Sequence, residues 1–271
     1  MLTLQETKSV LTRYNIRPNK RLSQSFLIDK NVQKKIIDEA GISDRDIVLE
    51  IGPGLGALTE ELCNRAKRVI AVEKDRRLYD FLTETLHYQN LELIRGDILE
   101  YNFSIHNQLK VIGNIPYCIS TNVIEKLLEN RYFIDTAFIT VQKEFARRIT
   151  ASPGDKTYGS ISCFAQFYST PEIIFSIKRH SFYPVPDVDS CFLKIQLKRD
   201  TPSLTDETKL FKIIRIAFRN RRKTILKSLY SSEVFGDKED VLKKLGEAGI
   251  APTRRPETIS LSEFEKLAEV L

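Results

Sequence analysis

The sequence lacks any apolar run near the ~20 residues that a membrane-spanning helix requires; its longest runs are a handful of residues. Its first residues hold no apolar stretch followed by a small-residue cleavage site. Nothing reads as a secretory signal, and a cytoplasmic protein with no membrane partner is expected. Cysteine is scarce: Cys63, Cys118, Cys163 and Cys191 lie 55, 45 and 28 residues apart, with no Cys-x-x-Cys pair. That spacing argues against a zinc site and against a disulfide framework. Free, reduced thiols and no bound metal are expected. Internal repeats and low-complexity tracts are absent. With 42% hydrophobic and 29% charged residues, disorder and collagen-like structure are excluded. A chain of 271 residues can hold one large domain, or one plus a small one.

What is present in excess is positive charge, and its distribution says more than the net +6. Residues 1–35 carry Lys8, Arg13, Arg17, Lys20, Arg21, Lys30, Lys34 and Lys35 against only Glu6 and Asp29. Residues 212–227 carry Lys212, Arg215, Arg219, Arg221, Arg222, Lys223 and Lys227 with no acid. Lys212, Arg215, Arg219 and Arg222 step by three, four and three, which predicts one basic helical face. Leu210, Ile214, Ala217, Phe218, Ile225 and Leu229 can form the opposing apolar face. Acid-poor basic segments of this kind suit a polyanion, and phosphate contacts position RNA or DNA without reading sequence.

Along the chain, Val32, Ile36, Ile37 and Ala40 recur at helical spacing and predict a helix over 30–40, stopped by Gly41. Short apolar runs then alternate with helical stretches. Strands are expected at 47–49, 69–72, 91–94, 110–112 and 137–141. Helices are expected at 58–66, 77–86, 122–128 and from the fifth strand through Arg148. This alternation predicts an α/β fold, a mostly parallel sheet with helices on both faces. Residues 172–177 and 190–197 look like an antiparallel hairpin at the sheet's edge, joined by a Pro-rich loop. A polar, Pro-containing linker is placed at 199–206. The expected domains are therefore 1–198 and an all-helical 206–271, the latter with a turn around Gly246 and Gly249.

The strongest local signal is Glu50-Ile51-Gly52-Pro53-Gly54-Leu55-Gly56-Ala57-Leu58-Thr59, a glycine loop between a strand and a helix. Glycine lets backbone approach a ligand closely, and a helix N-terminus offers N–H groups to an anion. Glu73 ends the second strand, 21 residues after Gly52, where its carboxylate can accept both ribose hydroxyls. Asp97 follows the third strand and can accept a hydrogen bond from an adenine amine. These residues point to an adenosine-bearing cofactor, either NAD or S-adenosyl-L-methionine.

Gly113-Asn114-Ile115-Pro116-Tyr117, after the fourth strand, separates the two. Asn-apolar-Pro-aromatic at this position resembles the substrate-amine motif of S-adenosylmethionine-dependent amino methyltransferases. An exocyclic adenine amine is a poor nucleophile because its lone pair is delocalised into the ring. The Asn114 side-chain oxygen and a backbone carbonyl near Ile115 or Pro116 can accept both amine hydrogens and aim the nitrogen at the methyl group. Pro116 fixes the backbone. Tyr117 can stack on the base, worth roughly 1–3 kcal/mol. Phe182, in the Pro-rich loop, can close the second face of a base turned out of its stack. The methylated cation is acidic enough to lose its proton to water, so positioning and electrostatics carry the rate.

Taken together, these blocks are similar to the ribosomal RNA adenine N6,N6-dimethyltransferases of the small-subunit KsgA (RsmA) type. Gln24-Ser25-Phe26-Leu27 resembles the family's N-terminal cofactor motif. Glu50 to Thr59, Val72-Glu73, Gly96-Asp97 and Asn114 to Tyr117 match in order and spacing. Val141 to Glu144, Tyr158-Gly159, Phe182 to Ser190, Arg221 to Thr224 and Arg255 to Leu261 are similar to later blocks.

The resemblance implies a Rossmann-like class I methyltransferase domain and a small helical C-terminal domain that binds RNA. It implies transfer of four methyl groups to two adjacent adenines near the 3′ end of small-subunit (16S) rRNA, within a 30S precursor particle. By resemblance, Ser25, Leu27, Gly52, Gly54, Glu73, Asp97 and Asn114 hold S-adenosyl-L-methionine. Asn114, Pro116, Tyr117 and Phe182 hold the target adenine. Arg147, Arg148, Arg221, Arg222 and Lys223 are the expected RNA contacts, and a monomer is expected. Ser25 stands where the family has Asn, Ser23 where it has Gly, and Cys118 where Asn or Tyr is frequent. Three alternatives remain: methylation of large-subunit RNA, as in erythromycin-resistance enzymes; an RNA-binding assembly factor with dispensable catalysis; and an NAD dehydrogenase. The last lacks a visible acid–base set, and Arg221-Arg222-Lys223-Thr224 argues against the first.

Overall fold

The computed structural model describes residues 2–18, 24–199, 206–220 and 222–271. The chain divides into two compact units, 1–146 with 171–197, and 147–170 with 198–271.

The first unit begins with helix α1 (Leu4–Arg13), which the sequence reading did not anticipate. Thr3 and Glu6 form a reciprocal capping box that satisfies the first free N–H groups. Strand β1 (Phe26–Leu27) follows, then α2 (Lys30–Ala40), capped by Asp29 and stopped by Gly41 in the left-handed region (φ 55°). From there strand and helix alternate: β2 (Ile47–Ile51), α3 (Thr59–Arg65), β3 (Arg68–Glu73), α4 (Arg76–Thr85), β4 (Leu91–Arg95), β5 (Leu109–Asn114), α5 (Ser120–Glu129) and β6 (Ile134–Gln142). The unit is completed by β7 (Ser169–Ile177), whose first two residues belong to the second unit, β8 (Phe182–Tyr183) and β9 (Ser190–Leu197).

The main sheet has seven strands in the order β4-β3-β2-β5-β6-β9-β7. The ladders from β4 through β6 are parallel, and β9 runs antiparallel to β6. Central strands are apolar on both faces, as helix-covered parallel strands must be. Val48, Leu49, Val69, Ile70, Val111 and Ile139 are each 0% exposed. The expected edge hairpin holds in that β7 and β9 are neighbours, but their connection carries β8 away to a separate two-stranded ladder with β1.

Chain direction across the sheet reverses between β2 and β5, and the ends of these two strands are held close. Ile51 is paired with Gly113. A Cβ on Gly113 would sit 2.7 Å from the Ile51 carbonyl oxygen, a contact with rigid backbone. Gly113 therefore sets how near Asn114 lies to the loop after β2.

The second unit is helical: α6 (Lys143–Thr150) enters it, followed by α7 (Ser160–Tyr168), α8 (Glu207–Arg219), α9 (Ile225–Tyr230), α10 (Lys238–Glu247) and α11 (Leu261–Val270). Its core stacks Tyr158 and Phe264 against Phe218, with Leu210, Ile213, Ile225, Leu229 and Leu245 fully buried. Two sequence expectations change here. Residues 147–170, expected in the first domain, pack with the C-terminal helices because α7 lies against α8 and α11. The continuous amphipathic face expected from Leu210 to Leu229 is split between two helices: α8 ends at Arg219 with Asn220 as its cap, and Thr224 caps α9. Lys212, Arg215 and Arg219 share the exposed face of α8, but Arg222 lies beyond it. Gly246 lies inside α10, and Gly249 (φ 71°) makes the turn. Most of the expected linker falls outside the described residues.

The Gly113 contact makes a prediction. Gly113→Ala should lower stability by about 1–3 kcal/mol, the usual cost of overpacking a close-packed core. Urea denaturation measures this, and a midpoint equal to wild type would show that β2 and β5 separate freely.

Candidate active site

Ligands in open α/β sheets bind beyond the carboxyl ends of the strands where strand order reverses. One cavity occupies that place. It is lined by segment 24–27, the glycine loop after β2, Glu73 at the end of β3, residues 114–117 after β5, Thr140 on β6 and Phe182 on β8. Nine expected site residues come together there: Ser25, Leu27, Gly52, Gly54, Glu73, Asn114, Pro116, Tyr117 and Phe182.

Gly52 and Gly54 have φ of 63° and 61°, the left-handed region that L side chains disfavour. A Cβ on Gly54 would press on the Phe26 ring at 3.2 Å. The Ala57 carbonyl accepts a hydrogen bond from the Gln33 side chain on α2, which ties the loop to the core. The Glu73 carboxylate accepts the Gly54 N–H at 3.1 Å through Oε2 and the Asp75 N–H at 2.8 Å through Oε1. Each oxygen keeps a further lone pair, which suits the two hydroxyls of a ribose. Burial raises the Glu73 pKa, opposed by these backbone donors.

Glu50 was given no role in the sequence reading, yet it lines the cavity and is 2% exposed. Its Oε2 and the Thr59 Oγ1 have no hydrogen-bond partner among the described residues. Burial pushes its carboxyl up to about 8, opposed by the nearby Thr59 hydroxyl and reinforced by the charge of Glu73. An acid inside the apolar strand Ile47–Ile51 was the signal available in the sequence. Side-chain-free backbone, a buried carboxylate with lone pairs to spare and orphaned buried polar atoms together fit an adenosine-bearing cofactor with polar groups beyond the sugar.

Asn114 ends β5 and donates from Nδ2 to the Ser25 carbonyl at 2.9 Å. That bond fixes the amide's orientation and leaves Oδ1 to accept a hydrogen. The Pro116 carbonyl accepts Ile119 N–H (3.1 Å) and Ser120 O–H (3.4 Å), closing the short 3₁₀ turn Tyr117–Ile119. Of the two backbone carbonyls the sequence offered, that of Pro116 is thus engaged within the turn. The Tyr117 hydroxyl lies 2.7 Å from Ser190 Oγ. Phe182 is 1% exposed and packs with Leu27 and Ile36.

The other expected residues lie elsewhere. Asp97 does not line the cavity; its Oδ2 meets Lys74 Nζ at 2.6 Å and its Oδ1 accepts the Leu99 N–H at 3.0 Å. Arg147 and Arg148 on α6, and Arg222 beyond α8, are exposed in the second unit, and Lys223, next to Arg222, is half-buried. Arg221 falls outside the described residues. The cysteines are free, with Cys118 exposed and the other three buried. No group of metal-ligating side chains occurs among the described residues, and no helix among them is long and apolar enough to cross a membrane.

Glu50 makes the second prediction. Its folded pKa lies above its unfolded value, so ionisation favours the unfolded chain as pH rises. The protonated form's stability is intact below about pH 4.5 and is lost progressively up to about pH 8. Glu50→Gln abolishes that loss. Its melting temperature relative to wild type should rise between pH 5 and pH 8.5 by at least about 3 °C, the shift that ~1 kcal/mol produces at this size. A difference that stays constant with pH would show that Glu50 is ionised in the folded protein.

This chain is similar to known proteins over nearly its whole length. The family model described as ribosomal RNA adenine dimethylase matches residues 15–270. Ribosomal RNA small subunit methyltransferase A of Geobacillus thermodenitrificans is 39% identical, over 98% of this chain and 94% of its own. The protein of the same name from Anoxybacillus flavithermus is 40% identical, over 99% and 95%. Among solved structures, a dimethyladenosine transferase from Plasmodium falciparum aligns with a TM-score of 0.77 at 30% identity, over 89% of this chain and 95% of that one. The 23S rRNA methyltransferase ErmE aligns at 0.69 and 26% identity, over 91% and 99%. With the family match running from the end of the first helix almost to the last residue, the chain belongs to the ribosomal RNA adenine dimethylase family.

Proposed function

We propose that this chain dimethylates the N6 amines of two adjacent adenines near the 3′ end of small-subunit rRNA. It does so as a monomer in the cytoplasm, on a precursor of the small ribosomal subunit. S-adenosyl-L-methionine, when bound, supplies an electrophilic methyl group on a sulfonium. Gly52, Gly54 and Glu73 would hold its ribose end, and Ser25, Leu27 and Glu50 border the remainder. Asp97, at the end of β4, is the acceptor proposed for the adenine edge.

The observation that carries the chemistry is the Asn114–Ser25 hydrogen bond. With Nδ2 committed to Ser25, Asn114 presents only an acceptor to a substrate amine. Oδ1 and the Ile115 carbonyl then take the two N6 hydrogens. This draws electron density back onto nitrogen and fixes its line of approach. Tyr117 and Phe182 are the aromatic faces proposed to hold the base outside its stack. The N6 proton leaves to water after transfer, so no cavity side chain need act as a base. Arg147, Arg148, Arg221, Arg222 and Lys223 are proposed to hold RNA phosphates from the second unit.

The small-subunit assignment rests on relatives about 40% identical named for that subunit, against 26% for the 23S enzyme. Incubating the protein and donor with separated, unmodified subunits and weighing the digested nucleosides tests it. N6,N6-dimethyladenosine should appear on the small subunit alone; appearance on the large subunit would move the enzyme to the erythromycin-resistance class. Asn114→Ala should reduce turnover about 10²–10³-fold, the usual cost of one preorganised electrostatic contact, while subunit binding stays within error. If binding falls in step with turnover, holding RNA and holding the amine are one site. Arg222→Glu with Lys223→Glu should weaken subunit binding and flatten its dependence on salt, with donor affinity by calorimetry unchanged. An equal loss of donor affinity would remove these residues from the RNA assignment.

A further inference from the structure

Tyr117 sits on a three-residue 3₁₀ turn, a short element that restrains a ring poorly by itself. Its outer end is held instead by Ser190, whose Oγ lies 2.7 Å from the phenol oxygen. Ser190 is 0% exposed, opens β9 and is paired with Gln142 at the end of the antiparallel ladder with β6. The residue before it is anchored twice: the Asp189 carbonyl accepts the Lys143 N–H at 3.0 Å, and its carboxylate accepts the Arg179 N–H at 3.0 Å. A serine fixed in this way transmits the rigidity of the sheet to an aromatic ring on a loop.

We propose that Ser190 is a positioning residue whose hydrogen bond to Tyr117 is needed most in the second of the two methyl transfers to each adenine. The inference rests on the reading of Asn114 and Tyr117 given above. In each transfer the N6 lone pair forms the N–C bond while the C–S bond of the donor breaks. The bonding pair stays on sulfur as a neutral thioether, and one N6 proton passes to water. An unmodified adenine brings two N6 hydrogens, one for Asn114 Oδ1 and one for the Ile115 carbonyl. A monomethylated adenine brings one hydrogen and one methyl group. One acceptor then loses its partner, and the base is held by a single hydrogen bond plus its aromatic contacts. The fixed plane of Tyr117 must supply the orientation that the lost hydrogen bond gave. A ring freed from Ser190 therefore slows the second step more than the first.

The experiment is a time course on unmodified small subunits with wild type, Ser190→Ala, Ser190→Thr, Tyr117→Phe and the double variant Tyr117→Phe/Ser190→Ala. It reads the ratio of N6-methyladenosine to N6,N6-dimethyladenosine at low conversion. Ser190→Ala should raise that ratio about 2- to 10-fold, the effect of losing one hydrogen bond. Tyr117→Phe, which keeps the ring and removes the same bond from the other side, should raise it equally. The double variant should add nothing, as for two halves of one interaction. Ser190→Thr restores the hydroxyl and should bring the ratio back towards wild type. A purely structural role for Ser190 lowers both transfers in proportion and leaves the ratio unchanged, which overturns the proposal. So does an unchanged ratio in Tyr117→Phe, the variant that decides should Ser190→Ala fail to fold. Wild type that makes no dimethyladenosine refutes the functional reading itself; wild type that makes it, with unmoved ratios in the variants, refutes only Ser190's part.

Discussion

The cavity depends on a ladder two residues long. Phe26 pairs with Tyr183 and Leu27 with Phe182, and the Ile28 N–H extends the pairing to the Ser181 carbonyl at 2.9 Å. Alternation along a strand sends successive side chains to opposite faces, and here it separates two cores. Phe26 packs with Leu11, Leu78 and Phe81; Leu27 packs with Ile36, Ile37 and Phe182. Segment 24–27 is thereby pinned from both sides, which leaves the Ser25 carbonyl fixed for the Asn114 amide. Three segments far apart in the chain meet through these few bonds. Backbone, not a side chain, makes the contact to Asn114, so serine at position 25 serves as well there as asparagine.

The two cavity acids occupy contrasting surroundings although their strands are neighbours. Glu73 has two backbone N–H donors, which favour its charged form; Glu50 has burial and an unpartnered oxygen, which favour its neutral form. Like charges in a shared low-dielectric site resist ionising together. The backbone donors at Glu73 oppose the burial that raises its pKa, whereas burial of Glu50 favours its neutral, proton-donating form. The site is thus defined by hydrogen-bond polarity as much as by shape.

Much of this was legible in the sequence because local periodicity and local chemistry coincide. The strands at 47–51, 68–73 and 109–114 announce themselves as apolar runs, and the glycine loop and the Asn114–Tyr117 segment are contiguous. What was not legible depends on contacts across the chain. The pairing of β8 with β1, the grouping of 147–170 with the C-terminal helices and the bond from Ser190 to Tyr117 leave no local trace. Helix α1 is a different case. Its Thr3-x-x-Glu6 capping box is a local signal in a segment otherwise dominated by basic residues. Arg222 is the opposite case: its helical spacing from Arg219 continues past Asn220, where the helix ends.

The cavity also explains its own economy of functional groups. None of the three histidines, His87, His106 and His180, lines it, and its carboxyls lie on the glycine-loop side, at β2 and β3. General-base catalysis would call for a titratable group beside Asn114. Of the cavity residues Ser25, Ile115, Pro116, Tyr117 and Phe182, only the Tyr117 phenol titrates, and it is held by Ser190 with burial raising its pKa. An amine whose product is a strong acid needs no base, only a fixed direction of attack and acceptors that restore its lone pair. Such a reaction rewards rigidity over proton affinity. The structure invests accordingly: a close-packed glycine behind Asn114, a backbone carbonyl to orient its amide, and a buried serine at the far end of Tyr117.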